Sequence, residues 1–368
     1  MLKRSLLAGC ATILMAVACG DDEETGRGPG GEQTGGATGS AGAGGDTAVE
    51  AGAGGEPGTP AAGSGGEPAT GEAGAGGDGD GLDPLAARGK YLVDHVIACP
   101  DCHTPRNEMG APIPEMYMAG VECFVELPTG ECLHSRNLTS DETGLKNRSD
   151  DEIKTMIRDG IRPSATGDEA LHPIMPYYVF ANTKDEDLDA IVAYLRTIPA
   201  VEHAIPRSDE LFEVEAPANP LDPDTIPMPA DDYPEFESAL RGRYLATQSG
   251  LCIECHTPHE QGADVLDPDK FFQGGEVFDL GLPAIPVSKN LTSDEATGLG
   301  EWSVEEIVAV LKDAVDKNGD GLCPPMPAGP MAAYGGLTDD DALDIANYLK
   351  SLPAIENEVV DMCTWPPM

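Results

Sequence analysis

Two short motifs of identical layout constrain this chain more than any other feature. The first is Cys99-Pro-Asp-Cys102-His103 and the second is Cys252-Ile-Glu-Cys255-His256. Two cysteines separated by two residues can reach both vinyl-derived carbons of one haem, and the adjacent histidine then supplies the proximal nitrogen to the iron. The pattern therefore predicts two covalently bound haem c groups, with His103 and His256 as iron ligands.

A redox disulfide and half of a zinc site are the competing interpretations of a CxxC pair. A redox pair needs no following histidine, and a four-ligand zinc site needs a second pair of ligands within each domain. Both motifs lie at the same point of an internal repeat, which favours haem over either alternative.

The chain repeats itself around these motifs. Arg88-Gly-Lys-Tyr-Leu92 precedes the first motif and Arg241-Gly-Arg-Tyr-Leu245 precedes the second. An Asn-Leu-Thr-Ser-Asp-Glu segment follows each motif, beginning at Asn137 and at Asn290. Because the order and the approximate spacing are kept, we expect a duplicated domain.

The repeats and the composition between them predict the domain boundaries. We expect domains at residues 83–204 and 235–368, which we call the first and second repeat, joined by a Pro- and acid-rich linker at 205–234. Residues 20–82 are rich in Gly, Ala and Glu and cannot bury enough apolar surface to offset the entropy of ordering. That segment is predicted to be a disordered, acidic tether.

Helical signals recur in both repeats. Ser149 with Glu152, and Ser303 with Glu306, have the spacing of capping boxes, and apolar residues follow them at helical spacing. Each repeat closes with a second apolar helical pattern that ends before a proline. The sequence therefore predicts a mainly α fold.

The N-terminus resembles an export signal. Basic residues 3–4 precede an apolar run at 6–18 that is too short to span a bilayer. Small residues then precede Cys19, as in a bacterial lipoprotein signal, so we expect a signal at residues 1–19 and lipid attachment at Cys19. Cys10 gives a second match with almost no apolar region before it, and an ordinary signal peptide is the other alternative. The protein is expected on the periplasmic side of a bacterial membrane, anchored only by lipid.

Net charge limits the partners. Lys and Arg number 22 against 65 Asp and Glu, a formal net charge of -43. Such a chain does not bind nucleic acid or an anionic membrane surface through its own charge. It attracts partners with a basic docking face instead, although solubility alone also accounts for the charge.

The sixth iron ligand separates electron transfer from catalysis. Met175 lies in the proline-bounded segment Pro173-Ile-Met-Pro176, just before the closing helix, where its thioether can meet the iron opposite His103. In the second repeat Met326 has the same Pro-Met-Pro context, whereas Met331 lies closer to the closing helix in spacing. The sequence leaves the choice between Met326 and Met331 open.

These motifs together resemble class I cytochrome c domains, and more closely the multi-haem cytochrome subunits of bacterial alcohol, aldehyde and gluconate dehydrogenases. The resemblance rests on Arg-Gly-x-Tyr-Leu, CxxCH-Thr-Pro, the Asn-Leu-Thr segments and Pro-x-Met-Pro, over most of residues 83–356. It implies three core helices around each haem and a propionate-facing Trp302, where the first repeat has Arg148. It also implies that Gly89 and Tyr91 meet Tyr194, and that Gly242 and Tyr244 meet Tyr348. Those subunits usually carry three haems, one more than the motifs here provide for.

Four cysteines remain after haem and lipid attachment. In an oxidising compartment we expect the disulfides Cys123–Cys132 and Cys323–Cys363. Asp316-Lys-Asn-Gly-Asp320-Gly matches the first half of a calcium loop, but Pro327 stands where the bidentate glutamate belongs. We therefore interpret that segment as a turn.

The first functional hypothesis is a di-haem electron carrier rather than an enzyme. Its partners would be a periplasmic dehydrogenase, another cytochrome, or an oxidase or reductase. A di-haem enzyme such as a peroxidase is the alternative, and it requires one iron with an open coordination position. A sensory or structural haem module is the third hypothesis.

Overall fold

The computed structural model describes residues 81–108, 110–126, 130–165, 167–206, 217–260, 265–278, 286–323, 325–326 and 333–360. The signal, nearly all of the tether, Cys19, Cys363 and Met331 lie outside these residues, so the expectations for them stay predictions. The described part is helix-rich with few strands, as the sequence predicts, and it lies in one compact unit that spans residues 74–368.

The first repeat contains five helices and two small β-ribbons among its described residues. The helices are α1 (Pro84–Tyr91), α2 (Cys99–His103), α3 (Asp150–Asp159), α4 (Tyr177–Phe180) and α5 (Asp185–Thr197). A π-helical turn, Leu92–Val96, continues α1, and a 3-10 turn covers Pro114–Met116. The antiparallel pairs are β1 (Val121–Glu126) with β2 (Cys132–Ser135), where Val125 faces Leu133, and β3 (Ile161–Arg162) with β4 (Glu169–Ala170).

The second repeat has the same order of helices in its described part. They are α6 (Phe236–Thr247), α7 (Cys252–His256), α8 (Val304–Asp313) and α9 (Asp339–Ser351), with 3-10 turns at Pro268–Lys270 and Ala333–Gly336. Thus α6, α7, α8 and α9 correspond to α1, α2, α3 and α5.

Both predicted capping boxes are confirmed. The hydroxyl of Ser149 accepts from the backbone N–H of Glu152, whose carboxylate accepts from the N–H of Ser149 in return. Ser303 and Glu306 make the same reciprocal pair at the start of α8. Two otherwise orphaned N–H groups are satisfied at each helix start, which explains why α3 and α8 begin where they do.

The first and last helices of each repeat cross at a glycine. A Cβ on Gly89 of α1 would lie 1.8 Å from the carbonyl oxygen of Ala190 and 2.8 Å from the Cβ of Tyr194 in α5. A Cβ on Gly242 of α6 would lie 1.8 Å from the carbonyl oxygen of Asp344 in α9. The two backbones approach too closely for any other residue, so the glycines set the crossing. The expected contact between Gly89 and Tyr194 is present.

The Asn-Leu-Thr segments form hydrogen bonds to the chain that follows each closing helix. Asn137, 3% exposed, donates through Nδ2 to the carbonyl of Val201 at 2.9 Å, while its Oδ1 accepts from the N–H of Thr139 at 2.9 Å. Asn290 repeats this with the carbonyl of Ile355 at 2.7 Å and the N–H of Thr292 at 3.0 Å. A buried amide with both ends bonded fixes the loop it starts.

One hydrophobic core runs through both repeats, and part of the predicted linker packs on it. Ile226 is 1% exposed. Arg243 of α6 donates to the carbonyls of Pro223, Ile226 and Pro227. Residues 223–227 of the linker are therefore held against the second repeat, whereas Leu221 is hydrogen-bonded to Tyr178 and Asn182 of the first repeat. Among the described helices, none has the length and apolar character needed to cross a bilayer.

Replacing Gly242 by Ala tests the helix crossing. Alanine normally stabilises a helix interior relative to glycine, but here the added Cβ would meet the backbone of α9. We expect Gly242→Ala to lower the free energy of unfolding by about 3 kcal/mol, measured by chemical denaturation. Gly321, which has open space around it, is the control: Gly321→Ala should change stability by no more than about 0.5 kcal/mol. Equal stability of the two variants would contradict the crossing.

Candidate haem-binding site

Each CxxCH motif forms a short helix that ends at its histidine. Cys99–His103 is α2 and Cys252–His256 is α7. None of the four cysteines in the two motifs is disulfide-bonded. Burial raises the pKa of all four thiols, to about 12 for Cys102 and about 11 for Cys252. A thiol whose pKa is raised holds its proton more firmly than the thiols of redox-active pairs, whose pKa values are lowered.

The histidine of each motif is oriented by one hydrogen bond. The Nδ1 of His103 lies 2.8 Å from the carbonyl oxygen of Arg136, and the Nδ1 of His256 lies 2.8 Å from that of Lys289. Since a carbonyl only accepts, Nδ1 carries the proton and Nε2 is the nitrogen left to bind a metal. Burial lowers the pKa of both histidines, which favours the neutral imidazole that ligation requires.

Residues that follow each motif hold the histidine's backbone. The carbonyl of His103 accepts from the N–H of Gly120 at 2.8 Å, and that of His256 accepts from Gly274 at 2.9 Å. A Cβ at Gly274 would lie 2.5 Å from the carbonyl of Lys289, the same group that orients the His256 ring. Glycine is therefore required where these two segments approach.

The threonine after each histidine is a second support. Thr104 and Thr257 are 1% and 0% exposed, and their hydroxyls accept from the N–H groups of Met118 and Phe272, both at 3.1 Å. The recurrence of CxxCH-Thr-Pro in the sequence is the signal that marks these threonines. The carbonyls that orient the histidines have no such signal, because they belong to Arg136 and Lys289, whose side chains differ.

The methionine candidates lie in turns that pack against the core. The N–H of Met175 donates to the carbonyl of His172 at 3.1 Å, and its own carbonyl accepts from Tyr177 at 2.7 Å. The N–H of Met326 donates to the carbonyl of Cys323 at 3.1 Å. Met331 lies outside the described residues, so the choice between Met326 and Met331 stays open.

Trp302 and Arg148 occupy corresponding positions ahead of α8 and α3. Trp302 is partly buried against the core, with the ammonium of Lys317 5.3 Å from its ring centroid. Arg148 donates to the carboxylate of Glu152 at 3.3 Å and to the carbonyl of Pro163. A propionate-facing role for Trp302 stays a prediction.

The residues fit a haem better than a zinc ion. Two reduced thiols and one imidazole with Nε2 available stand together in each repeat, which is the donor set that covalent haem attachment uses. The described residues hold no cluster of three or more His, Cys, Asp or Glu side chains arranged for a metal ion. A four-ligand zinc site therefore finds no ligand set in that part of the chain.

Outside the two motifs, the cysteines and the Asp-rich loop have other roles. Cys123 and Cys132 form a disulfide between β1 and β2, and Cys323 is also disulfide-bonded. Its expected partner, Cys363, lies outside the described residues. The Oδ1 of Asp316 accepts from the N–H groups of Asn318 at 2.8 Å and Asp320 at 2.9 Å. That carboxylate closes the turn.

A charged network adjoins the second motif. The ring nitrogens of His259 lie 3.5 Å from Glu254 and 3.4 Å from Glu276. Hydrogen bonds to these two carboxylates raise the pKa of His259 to about 10, and the bond to His259 lowers the pKa of Glu276. At neutral pH His259 is therefore a cation between two anions.

Comparison with known proteins agrees with this geometry. Residues 239–353 match the model of the cytochrome c family. The cytochrome c subunit of the quinone alcohol dehydrogenase of Gluconobacter oxydans is 29% identical over 297 residues, covering 75% of this chain and 56% of that protein. The gluconate 2-dehydrogenase cytochrome c subunit of Pantoea cypripedii is 29% identical over 304 residues, covering 75% and 62%. A diheme cytochrome c-type protein of Cereibacter sphaeroides is 28% identical over 295 residues, covering 75% and 88%.

The resemblance expected from the motifs is thus confirmed: residues 239–353 match the cytochrome c family, and the chain is similar to cytochrome c subunits of dehydrogenases. The chain spans only 56% and 62% of the length of the two dehydrogenase subunits named above. A match to the cytochrome c family implies covalently bound haem c. The number of two haems is supported by the diheme cytochrome c-type relative.

The His259 network predicts a pH dependence of stability. Because the folded-state pKa is raised above 6.5, the network stabilises the fold fully below that pH and loses its effect as pH rises towards 10. The His259 side chain is 32% exposed, so solvent screens the pairs and we expect about 1–2 kcal/mol. The free energy of unfolding, measured by chemical denaturation from pH 6 to pH 10, should be higher for the wild type than for His259→Gln at pH 6, and the difference should shrink as the pH rises. If the stability of the two proteins changes with pH in the same way, the His259 network does not contribute to stability.

Proposed function

We propose that this chain is a di-haem c-type cytochrome that carries electrons in the periplasm. Electrons would come from a dehydrogenase or another donor and leave to a respiratory acceptor. The observation that carries the proposal is the duplicated arrangement at the two motifs: in each repeat a histidine is fixed through Nδ1 by a backbone carbonyl, beside two thiols that are not disulfide-bonded. Relatives named as cytochrome subunits of dehydrogenases support the same assignment.

The cysteines, histidines and methionines of the two repeats would have separate roles in binding haem. Cys99 and Cys102 would attach one haem and Cys252 and Cys255 the other, while His103 and His256 would present Nε2 to the irons. A bound haem supplies one-electron exchange between ferric and ferrous iron. Met175, and Met326 or Met331, would complete the coordination, which leaves no position for substrate and favours transfer over catalysis.

The location and partners follow from the N-terminus and the charge. A lipid at Cys19 and the tether at 20–82 would keep the haem-binding part near the periplasmic face of a bacterial membrane. The relatives named above are bacterial proteins. The net charge of -43 favours a redox partner with a basic docking face, whose association would weaken as salt is raised.

Methionine variants with a redox titration test this function. We expect Met175→Leu to lower the potential of one haem and to remove its methionine–iron band near the red end of the spectrum, because thioether ligation stabilises ferrous iron. Either Met326→Leu or Met331→Leu should do the same to the other haem. Met156→Leu, in α3 and also packed against the core, is the matched control and should leave both potentials unchanged.

The same titration can contradict the proposal. If no methionine variant changes either spectrum, methionine ligation is wrong in both repeats. A high-spin ferric signal in the wild type, together with peroxide turnover, would support the di-haem peroxidase instead.

A further inference from the structure

Two tyrosines each reach from one repeat into the other. Tyr91, at the end of α1, donates its hydroxyl proton to Oδ2 of Asp341 at 2.5 Å and accepts from the N–H of Thr338 at 3.3 Å. Tyr244, in α6, donates to Oδ2 of Asp187 at 2.7 Å and accepts from the N–H of Lys184 at 3.2 Å. The resemblance places both tyrosines at the crossing inside their own repeat; their hydroxyls instead bond the other one.

The two contacts are reciprocal. Tyr91 and Tyr244 hold the same place in Arg-Gly-x-Tyr-Leu, and Asp187 and Asp341 hold the same place ahead of the closing Tyr-Leu. Tyr91 of the first repeat bonds Asp341 of the second, and the corresponding Tyr244 of the second repeat bonds the corresponding Asp187 of the first. That reciprocity is the mark of a two-fold interface between identical subunits. Here it joins the two halves of one chain.

Burial makes these contacts strong. Asp187 is 5% exposed and is also held by the guanidinium of Arg88 at 3.0 Å. Burial, with the neighbouring carboxylates in support, raises the pKa of both Tyr91 and Tyr244. Each phenol therefore keeps its proton and donates to a charged acceptor, which makes a stronger hydrogen bond than a neutral one.

The two haem-attachment segments lie at the same interface. The Nδ1 of His95, just ahead of α2, lies 2.9 Å from the carbonyl oxygen of Ala333 in the second repeat, and a Cβ on Gly250, just ahead of α7, would lie 3.3 Å from the carbonyl oxygen of Val96. The hydroxyl of Tyr178 in α4 donates to Glu254, inside the second motif, at 2.5 Å. The interface that the tyrosines bridge therefore contains the segments that lead into both motifs.

We propose that Tyr91 and Tyr244 are positioning residues: their reciprocal bonds hold the two haem-attachment segments at one fixed separation and make the two repeats a single redox unit. The inference rests on the proposed function, because it needs a haem at each motif. Haems held at the two motifs would exchange one electron inside the chain, with no bond formed or broken. Because charges interact more strongly across protein than across water, the charge state of one site would shift the potential of the other.

Phenylalanine variants of the complete haem-loaded protein test this. Tyr91→Phe, Tyr244→Phe and the double variant remove the bridging hydroxyls. Tyr117→Phe is the matched control, because the Tyr117 hydroxyl bonds Asp94 and Tyr194 within the first repeat. We expect the double variant to melt about 5 °C lower than wild type and in two steps instead of one.

Spectroelectrochemistry supplies the second readout. Water entering between the repeats raises the effective dielectric, so the separation between the two midpoint potentials should narrow about twofold in the double variant, with both spectra unchanged. Tyr117→Phe should keep the wild-type separation. If the double variant does not fold, each single variant, which retains one bridge, should show an intermediate narrowing.

The outcomes separate the two proposals. If the wild type carries two haems but the bridging variants keep its potentials and its single transition, this inference is wrong and the proposed function stands. A wild type without two haems would overturn both.

Discussion

The hydrogen bond from each motif histidine to a backbone carbonyl is the interaction on which the rest of the site depends. At 2.8 Å in both repeats, it selects the tautomer that leaves Nε2 as the nitrogen available to bind a metal. The accepting carbonyl is in turn fixed, because the residue after it is a buried asparagine whose amide clamps the chain beyond the closing helix. Glycine at 120 and 274 lets these segments approach.

The same helices that build each repeat also join the two. Gly89 and Gly242 bring the first and last helices into backbone contact. Tyr91 and Tyr244 lie two residues further on, about 200° round the helix, and therefore face the other repeat. The two repeats present corresponding residues to each other, as identical subunits do in a two-fold dimer. The result is one continuous core containing both haem-attachment segments.

Local signals made much of this predictable. The capping boxes follow from a short sequence pattern because their partners lie within a few residues. The glycine crossings were implied by the family resemblance of the Arg-Gly-x-Tyr-Leu segments, although the partner helix lies about 100 residues further along the chain. The Tyr91–Asp341 bond joins positions 250 residues apart. It could not be predicted, because the Arg-Gly-x-Tyr-Leu pattern does not indicate whether its tyrosine contacts its own repeat or the other one. The carbonyls that orient the histidines could not be predicted from the sequence either. They are backbone groups, and any residue type at positions 136 and 289 would supply one. The packing of Ile226 from the predicted linker depends on tertiary contacts that composition does not reveal.

We expect each motif to carry its own haem within one folded unit. The most direct test is the intact mass of the purified mature protein, made in a host that attaches c-type haem and measured after denaturation. The account predicts a mass equal to the processed polypeptide plus two haems, falling by one haem when Cys252 and Cys255 are both replaced by alanine. A mass corresponding to one haem or none in the wild type would contradict it.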